Sequence, residues 1–193
     1  MSELVNPIVK VRFKEGITSL TECFYDCQKI LKFSGNLFSR CSEVTDFNYC
    51  FQNCLPWASK SMAYIPKGLF SNCSNVTSFE GCFWRCYSIR NLPDDLFENN
   101  KEVNSFSSIF AYCNFSIIPE NLFSSNTKVA NFSNCFYSCQ NLEVMPIDND
   151  DTPIYNRNSP GKEGYSIVTK FSNCFQSCTK LQELYPDIPE DWK

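Results

Sequence analysis

The stretch VTSFEGCFWRCYSIRNLPDDLFENNKEV, residues 76–103, sets the pattern of the whole chain. Val76, Phe79, Cys82, Phe83 and Cys86 fall at offsets 0, 3, 6, 7 and 10, and Ile89, Leu92, Leu96 and Phe97 follow. The same frame returns as Val44, Phe47, Cys50, Phe51 and Cys54, as Val103, Phe106, Ile109, Phe110 and Cys113, and as Val129, Phe132, Cys135, Phe136 and Cys139. Its centre recurs six times: TECFYDC (21–27), NYCFQNC (48–54), EGCFWRC (80–86), SSIFAYC (107–113), SNCFYSC (133–139) and SNCFQSC (172–178). The central residues Phe24, Phe51, Phe83, Phe110, Phe136 and Phe175 are separated by 27, 32, 27, 26 and 39 residues. Self-similarity at such a period belongs to stacked repeats, each burying its apolar face only against its neighbours.

Within a unit, the first offsets put the apolar groups on one face of a short helical turn. A brief strand follows, as in SIRNLP (88–93) or NLEVMP (141–146), closed by proline, which suits a strand end or the first turn of a helix. DDLFENN and ENLFSSN then read as a second turn ended by asparagine. The expected architecture is an α/β repeat: a short, curved, leucine-rich-repeat-like solenoid with a narrow parallel sheet and short helical turns. A single domain spans 1–193, with an N-terminal cap over 1–18 and six repeats of about 27 residues over 19–186. A C-terminal cap covers 187–193, and VKVRF (9–13) alternates like a half-buried strand. The period is broken at 55–65 and at 147–167, the second rich in proline, glycine and asparagine; such insertions emerge as loops.

The phrases VTDFNYCFQNC (44–54) and VTSFEGCFWRCYSI (76–89) resemble the BspA-type leucine-rich repeats of bacterial surface and phage-encoded proteins. PDDLF (93–97) and PENLF (119–123) resemble the Pro-x-x-Leu-Phe stretch of leucine-rich repeats generally. The resemblance covers residues 17–186 and implies a curved solenoid used for adhesion or protein binding.

Composition narrows the function. The formal charge is −4, against the basic stripe that a nucleic-acid partner selects. No apolar run approaches the ~18 residues needed to cross a bilayer, and MSELVNPIVKVRFKEG lacks the form of a signal peptide. A virion or cell-surface place is expected, a cytoplasmic one being the alternative. Histidine is absent, which removes the commonest general base and metal ligand together. No phosphate loop, nucleophile elbow or catalytic carboxylate pair is present, so no catalytic, cofactor or metal residue is assigned.

Thirteen cysteines cannot all pair within the chain. Ile109 stands where five other copies have cysteine, a swap that suits a buried hydrophobe and not a zinc ligand, so the thiols read as free and buried. The repeat phenylalanines read as core. Asp148, Asp150 and Asp151 lack the frame of a calcium loop and read as solvated. Asn72, Asn75, Asn114 and Asn131 open sequons that follow from the repeat's own asparagines and serines.

Binding residues collect on loops held by a rigid scaffold. Trp57, Met62 and Tyr64 in the first interruption, and Tyr155, Arg157 and Tyr165 in the second, are the candidate partner contacts. The expected function is a non-catalytic recognition or adhesion module for a protein or cell-surface glycan. The alternative is a structural subunit that contacts copies of itself, as a homo-oligomer, or other virion proteins.

Overall fold

The computed structural model describes residues 10–30, 32–54 and 63–193. Six segments passing through the Phe–Cys signatures stack in chain order. Parallel bridges join Ser19 to Asp46, Asp46 to Ser78, Ser78 to Ser105, Ser105 to Asn131 and Asn131 to Lys170, at the same steps as the central phenylalanines. The repeat fold is therefore present in space as it is in sequence.

The local conformation of the signatures is not the helical turn expected from the 0, 3, 6, 7, 10 spacing. Each signature carries two left-handed residues four apart: Glu22 and Asp26, Tyr49 and Asn53, Gly81 and Arg85, Ser108 and Tyr112, Asn134 and Ser138, Asn173 and Ser177, with φ between 54° and 62°. L-residues do not sustain an α-helix with such values. They let backbone N–H groups alternate direction instead. In the third unit Phe83 and Arg85 donate forward to the carbonyls of Ile109 (3.0 Å) and Ala111 (2.9 Å), while Trp84 and Cys86 donate back to Gly81 (2.9 Å) and Phe83 (3.1 Å). Half the amides build the turn and half bind the next unit, which satisfies the backbone without a long helix or strand. Among the described residues the single α-helix is α1 (Thr179–Leu184), after the last signature. The expected sheet shrinks to one parallel pair, β1 (Ala63–Tyr64) and β2 (Ile89–Asn91). Residues 10–13 form no strand.

The spacing nevertheless selects the interior. Val76, Phe79, Cys82, Phe83 and Cys86 are all essentially inaccessible. Phenylalanine forms three columns along the stack. Phe24, Phe51, Phe83, Phe110, Phe136 and Phe175 follow one another at 5.3 to 5.8 Å. Phe47, Phe79, Phe106 and Phe132 form the second, and Phe38, Phe70, Phe97 and Phe123 the third. Rings of neighbouring columns tilt against one another, as Phe47 does on Phe70 at 4.8 Å. Each such pair adds about 0.5–1.5 kcal/mol beyond the area it buries. Trp192, in a 3₁₀ turn (Glu190–Trp192), stacks on Phe171 at 5.0 Å and on Phe175 at 6.1 Å, and its carbonyl accepts the Phe175 N–H.

The two cysteine columns differ. Every thiol of the second column beyond the first unit donates back to the central phenylalanine carbonyl of the preceding unit. Cys54 bonds Phe24 at 2.8 Å, Cys86 bonds Phe51 at 3.0 Å, Cys113 bonds Phe83 at 3.2 Å, Cys139 bonds Phe110 at 3.1 Å and Cys178 bonds Phe136 at 2.9 Å. First-column thiols such as Cys50 and Cys82 are as deeply buried but make no such bond to a central phenylalanine carbonyl, and that is the column in which Ile109 replaces cysteine. Eleven thiols are buried, as read from the sequence; Cys23 is exposed and Cys27 half-buried.

Candidate functional site

The interruption at 147–167 folds around a buried ion pair. Asp148 and Arg157 both have inaccessible side chains. Arg157 Nε donates to both Asp148 oxygens at 3.0 and 3.1 Å, and its Nη2 donates to Oδ1 at 2.6 Å. The guanidinium also reaches the backbone carbonyls of Phe123 (2.9 Å) and Asn126 (3.2 Å).

Those two carbonyls explain why an arginine stands there. One unit earlier the Asn126 amide caps Phe97 and Asn100, and before that the Asn100 amide caps Phe70 and Cys73. Asn100 and Asn126 thus form a buried ladder closing the second turn of each unit against its predecessor. The next unit lacks that turn, and Arg157 arrives from the insertion to bind the equivalent carbonyls. Asp148 neutralises it, because an unpaired charge at this depth is prohibitively costly.

Lys162 approaches Asp148 at 3.4 Å and also bonds Asp150 and Thr152. Burial works against its charge, but the Asp150 bond and the Asp148 field win, and its pKa is raised. The same Lys162 bond, helped by Thr152, holds the Asp150 carboxyl down at about 2. Tyr165 lies over Arg157 at 4.7 Å and over Lys162 at 4.9 Å. Tyr155, from the 3₁₀ turn Ile154–Asn156, meets Trp192 edge-on at 6.3 Å.

The placement of the sequence candidates follows. Arg157 is 3% exposed and internal, so it offers no partner contact, and Asp148 is buried and not solvated. Tyr155 and Tyr165 are half-buried and brace the insertion. Tyr64, on β1, is 52% exposed. Trp57 and Met62 lie outside the described residues. The insertion thus divides into an interior that completes the fold and a polar outer rim. Beside it, Lys67, Asp94, Glu98, Asn121 and Asn149 line an open depression of about 510 Å³, without the apolar walls typical of small-molecule sites.

No protein-family model matches the sequence. No curated protein matches it either. Among solved structures the chain is similar to the leucine-rich repeat domain of APL1B, with 19% identity over 53% of this chain and 27% of that one, at a TM-score of 0.39. It is also similar to the Drosophila Toll–Spatzle complex, with 14% identity over 65% of this chain and 24% of that one, at a TM-score of 0.20. The chain spans about a quarter of the length of these two. Scores this low carry no argument, and the repeat fold rests on the bridges and columns above.

Seven of the buried thiols are shifted away from nucleophilic behaviour. Burial pushes Cys50, Cys82, Cys86, Cys135 and Cys139 well up, and Cys54 and Cys73 up to about 12, opposite to the shift that activates a cysteine. Sequence reading passed over one group of surface residues. Tyr49, Trp84, Arg85, Tyr112 and Tyr137 sit inside the signatures, among core phenylalanines and cysteines, yet outside the 0, 3, 6, 7, 10 frame. Position relative to that frame was the signal that could have found them.

Proposed function

We propose that the chain is a non-catalytic recognition module, a leucine-rich-repeat-like solenoid of the BspA type that holds a protein or cell-envelope ligand for a bacterial surface or phage virion. One observation supports this above others: the interior is wholly committed to packing. Its phenylalanines are in columns, eleven of its thiols are buried among them, and its asparagine ladder is closed by Arg157. What remains for function is a rigid surface that repeats unit by unit, the property that suits stacked repeats to binding. The test is adhesion of fluorescently labelled protein to a panel of bacterial cells and envelope fractions, before and after protease or periodate treatment. Saturable binding removed by one treatment is expected. Linear, non-saturable uptake on every surface would sink the proposal.

A further inference from the structure

Five large side chains that the core does not use form a continuous strip across four units. Tyr49 and Trp84 are 6.3 Å apart. Arg85 lies over the Trp84 ring at 5.3 Å and over the Tyr112 ring at 5.4 Å. Tyr112 and Tyr137 are 5.3 Å apart. Arg85 is exposed and the four rings are half-buried.

Three features set the strip apart from an ordinary surface. First, Tyr49, Arg85 and Tyr112 occupy left-handed positions, with φ of 55°, 59° and 62°. Serine, asparagine or aspartate fills most equivalent positions, and these tolerate that region far better than bulky side chains do. Second, Tyr49 is held in place. Its hydroxyl donates to Glu80 at 2.5 Å, and its ring covers Gly81 so closely that a Cβ there would sit 2.4 Å from it. Third, two of its donors lack acceptors among the described residues. The Trp84 Nε1–H is buried without a hydrogen-bond partner there. The Arg85 guanidinium is held between two rings and pairs with no carboxylate among the described residues.

We infer that this strip is a docking surface for a protein segment bearing carboxylates beside an apolar or aromatic side chain. The reasoning is charge and shape complementarity. A cation gripped by two rings loses little freedom when it takes a planar carboxylate in a bidentate bond. Tryptophan, tyrosine and arginine together are the residue types that dominate binding energy at protein interfaces. Arg85 takes one face of the Trp84 ring and one of the Tyr112 ring, which reduces the open platform on which a sugar would stack. Rotation of the half-buried indole on binding relieves its orphaned N–H.

This inference rests on the recognition reading and names its face and partner chemistry. The test uses the intact chain with ¹⁵N-labelled tryptophan, titrated with a random glutamate–tyrosine copolymer. The Trp84 indole signal, assigned with Trp84→Phe, is expected to shift and saturate. Arg85→Gln and, separately, Tyr112→Ser are expected to weaken binding tenfold or more while circular dichroism is unchanged. An unmoved Trp84 signal, equal affinity in Arg85→Gln, or equal binding of a lysine–tyrosine copolymer overturns the inference. A stronger response to the acidic glycan polygalacturonate overturns it in favour of a sugar. Cell adhesion that survives Arg85→Gln overturns this face alone and leaves the recognition function standing.

Discussion

Raising the pH should unfold this protein abruptly, because its interior is lined with thiols that must stay neutral. In the unfolded chain a thiol ionises near its ordinary value of 9.0. Burial pushes seven of them furthest above it in the folded chain: Cys50, Cys82, Cys86, Cys113, Cys135, Cys139 and Cys178. A raised folded pKa means the stabilisation is fully present below the unfolded value and is lost as pH climbs towards the folded one. About one unit above the unfolded pKa, each such thiol favours the unfolded state by about 1.4 kcal/mol. Seven of them together remove about 10 kcal/mol, which matches the ~5–15 kcal/mol that holds an ordinary domain folded. The fold should therefore be lost between about pH 9 and pH 10, in one step. Far-ultraviolet dichroism and thiolate absorbance, followed in parallel under argon with a reductant present, should change together. Substituting Cys82 with valine should move the midpoint upward. Thiolates in excess of the two accessible thiols, Cys23 and Cys27, appearing while the dichroism stays native would refute the reasoning, and so would a native spectrum well above pH ~11.

Other outcomes follow from the same geometry. At Cys113, whose thiol donates to Phe83, serine should be more stable than alanine by about 1 kcal/mol; at Cys82, whose thiol has no acceptor among the described residues, serine should be less stable than alanine by ~1–2 kcal/mol. Urea midpoints of the four variants decide it, and the same order at both sites would refute distinct roles for the two columns. Arg157→Met removes the close partner of Asp148, leaving it Lys162 at 3.4 Å, and strands two backbone carbonyls; it should cost about 3–5 kcal/mol, with Asp148→Asn in the same background recovering part of it in thermal melts. Gly81→Ala should destabilise by about 1–3 kcal/mol because of the Tyr49 ring, and Tyr49→Ser should restore most of that loss; no recovery would mean that backbone strain alone is responsible.

Much of the fold was legible because the repeat is long and in register. The frame that begins at Val76 names buried residues in every later unit, with Phe171 of the last unit half-buried, since period is a property of side-chain order and survives any backbone path. The path itself was misread. Offsets of 3, 3, 1 and 3 fit a helix, but residues such as Glu22, Asn53 and Ser108 accept positive φ, and a propensity argument does not see that two such residues per signature redirect the amides outward. At the candidate site, Arg157 looked like a contact because charged residues in long polar loops usually meet solvent. Its true role depends on carbonyls of Phe123 and Asn126, some thirty residues earlier, and on the absence of an asparagine turn in its own unit. The strip around Arg85 was hidden for the opposite reason: its residues lie within the most regular part of the sequence.

The back-reaching thiols make length a free variable. Each unit before the last offers the next the same acceptor, the central phenylalanine carbonyl, and the same ring on which to lie. Excising residues 76–102 as a block would seat Phe110 on Phe51 and point the Cys113 thiol at the Phe51 carbonyl, with no new kind of contact required. A gene encoding such a protein can lose or duplicate a whole unit in a single recombination and still yield a packed chain. Loss of one or two residues inside a signature would instead break the frame of that unit, and with it the ring and thiol contacts to both of its neighbours.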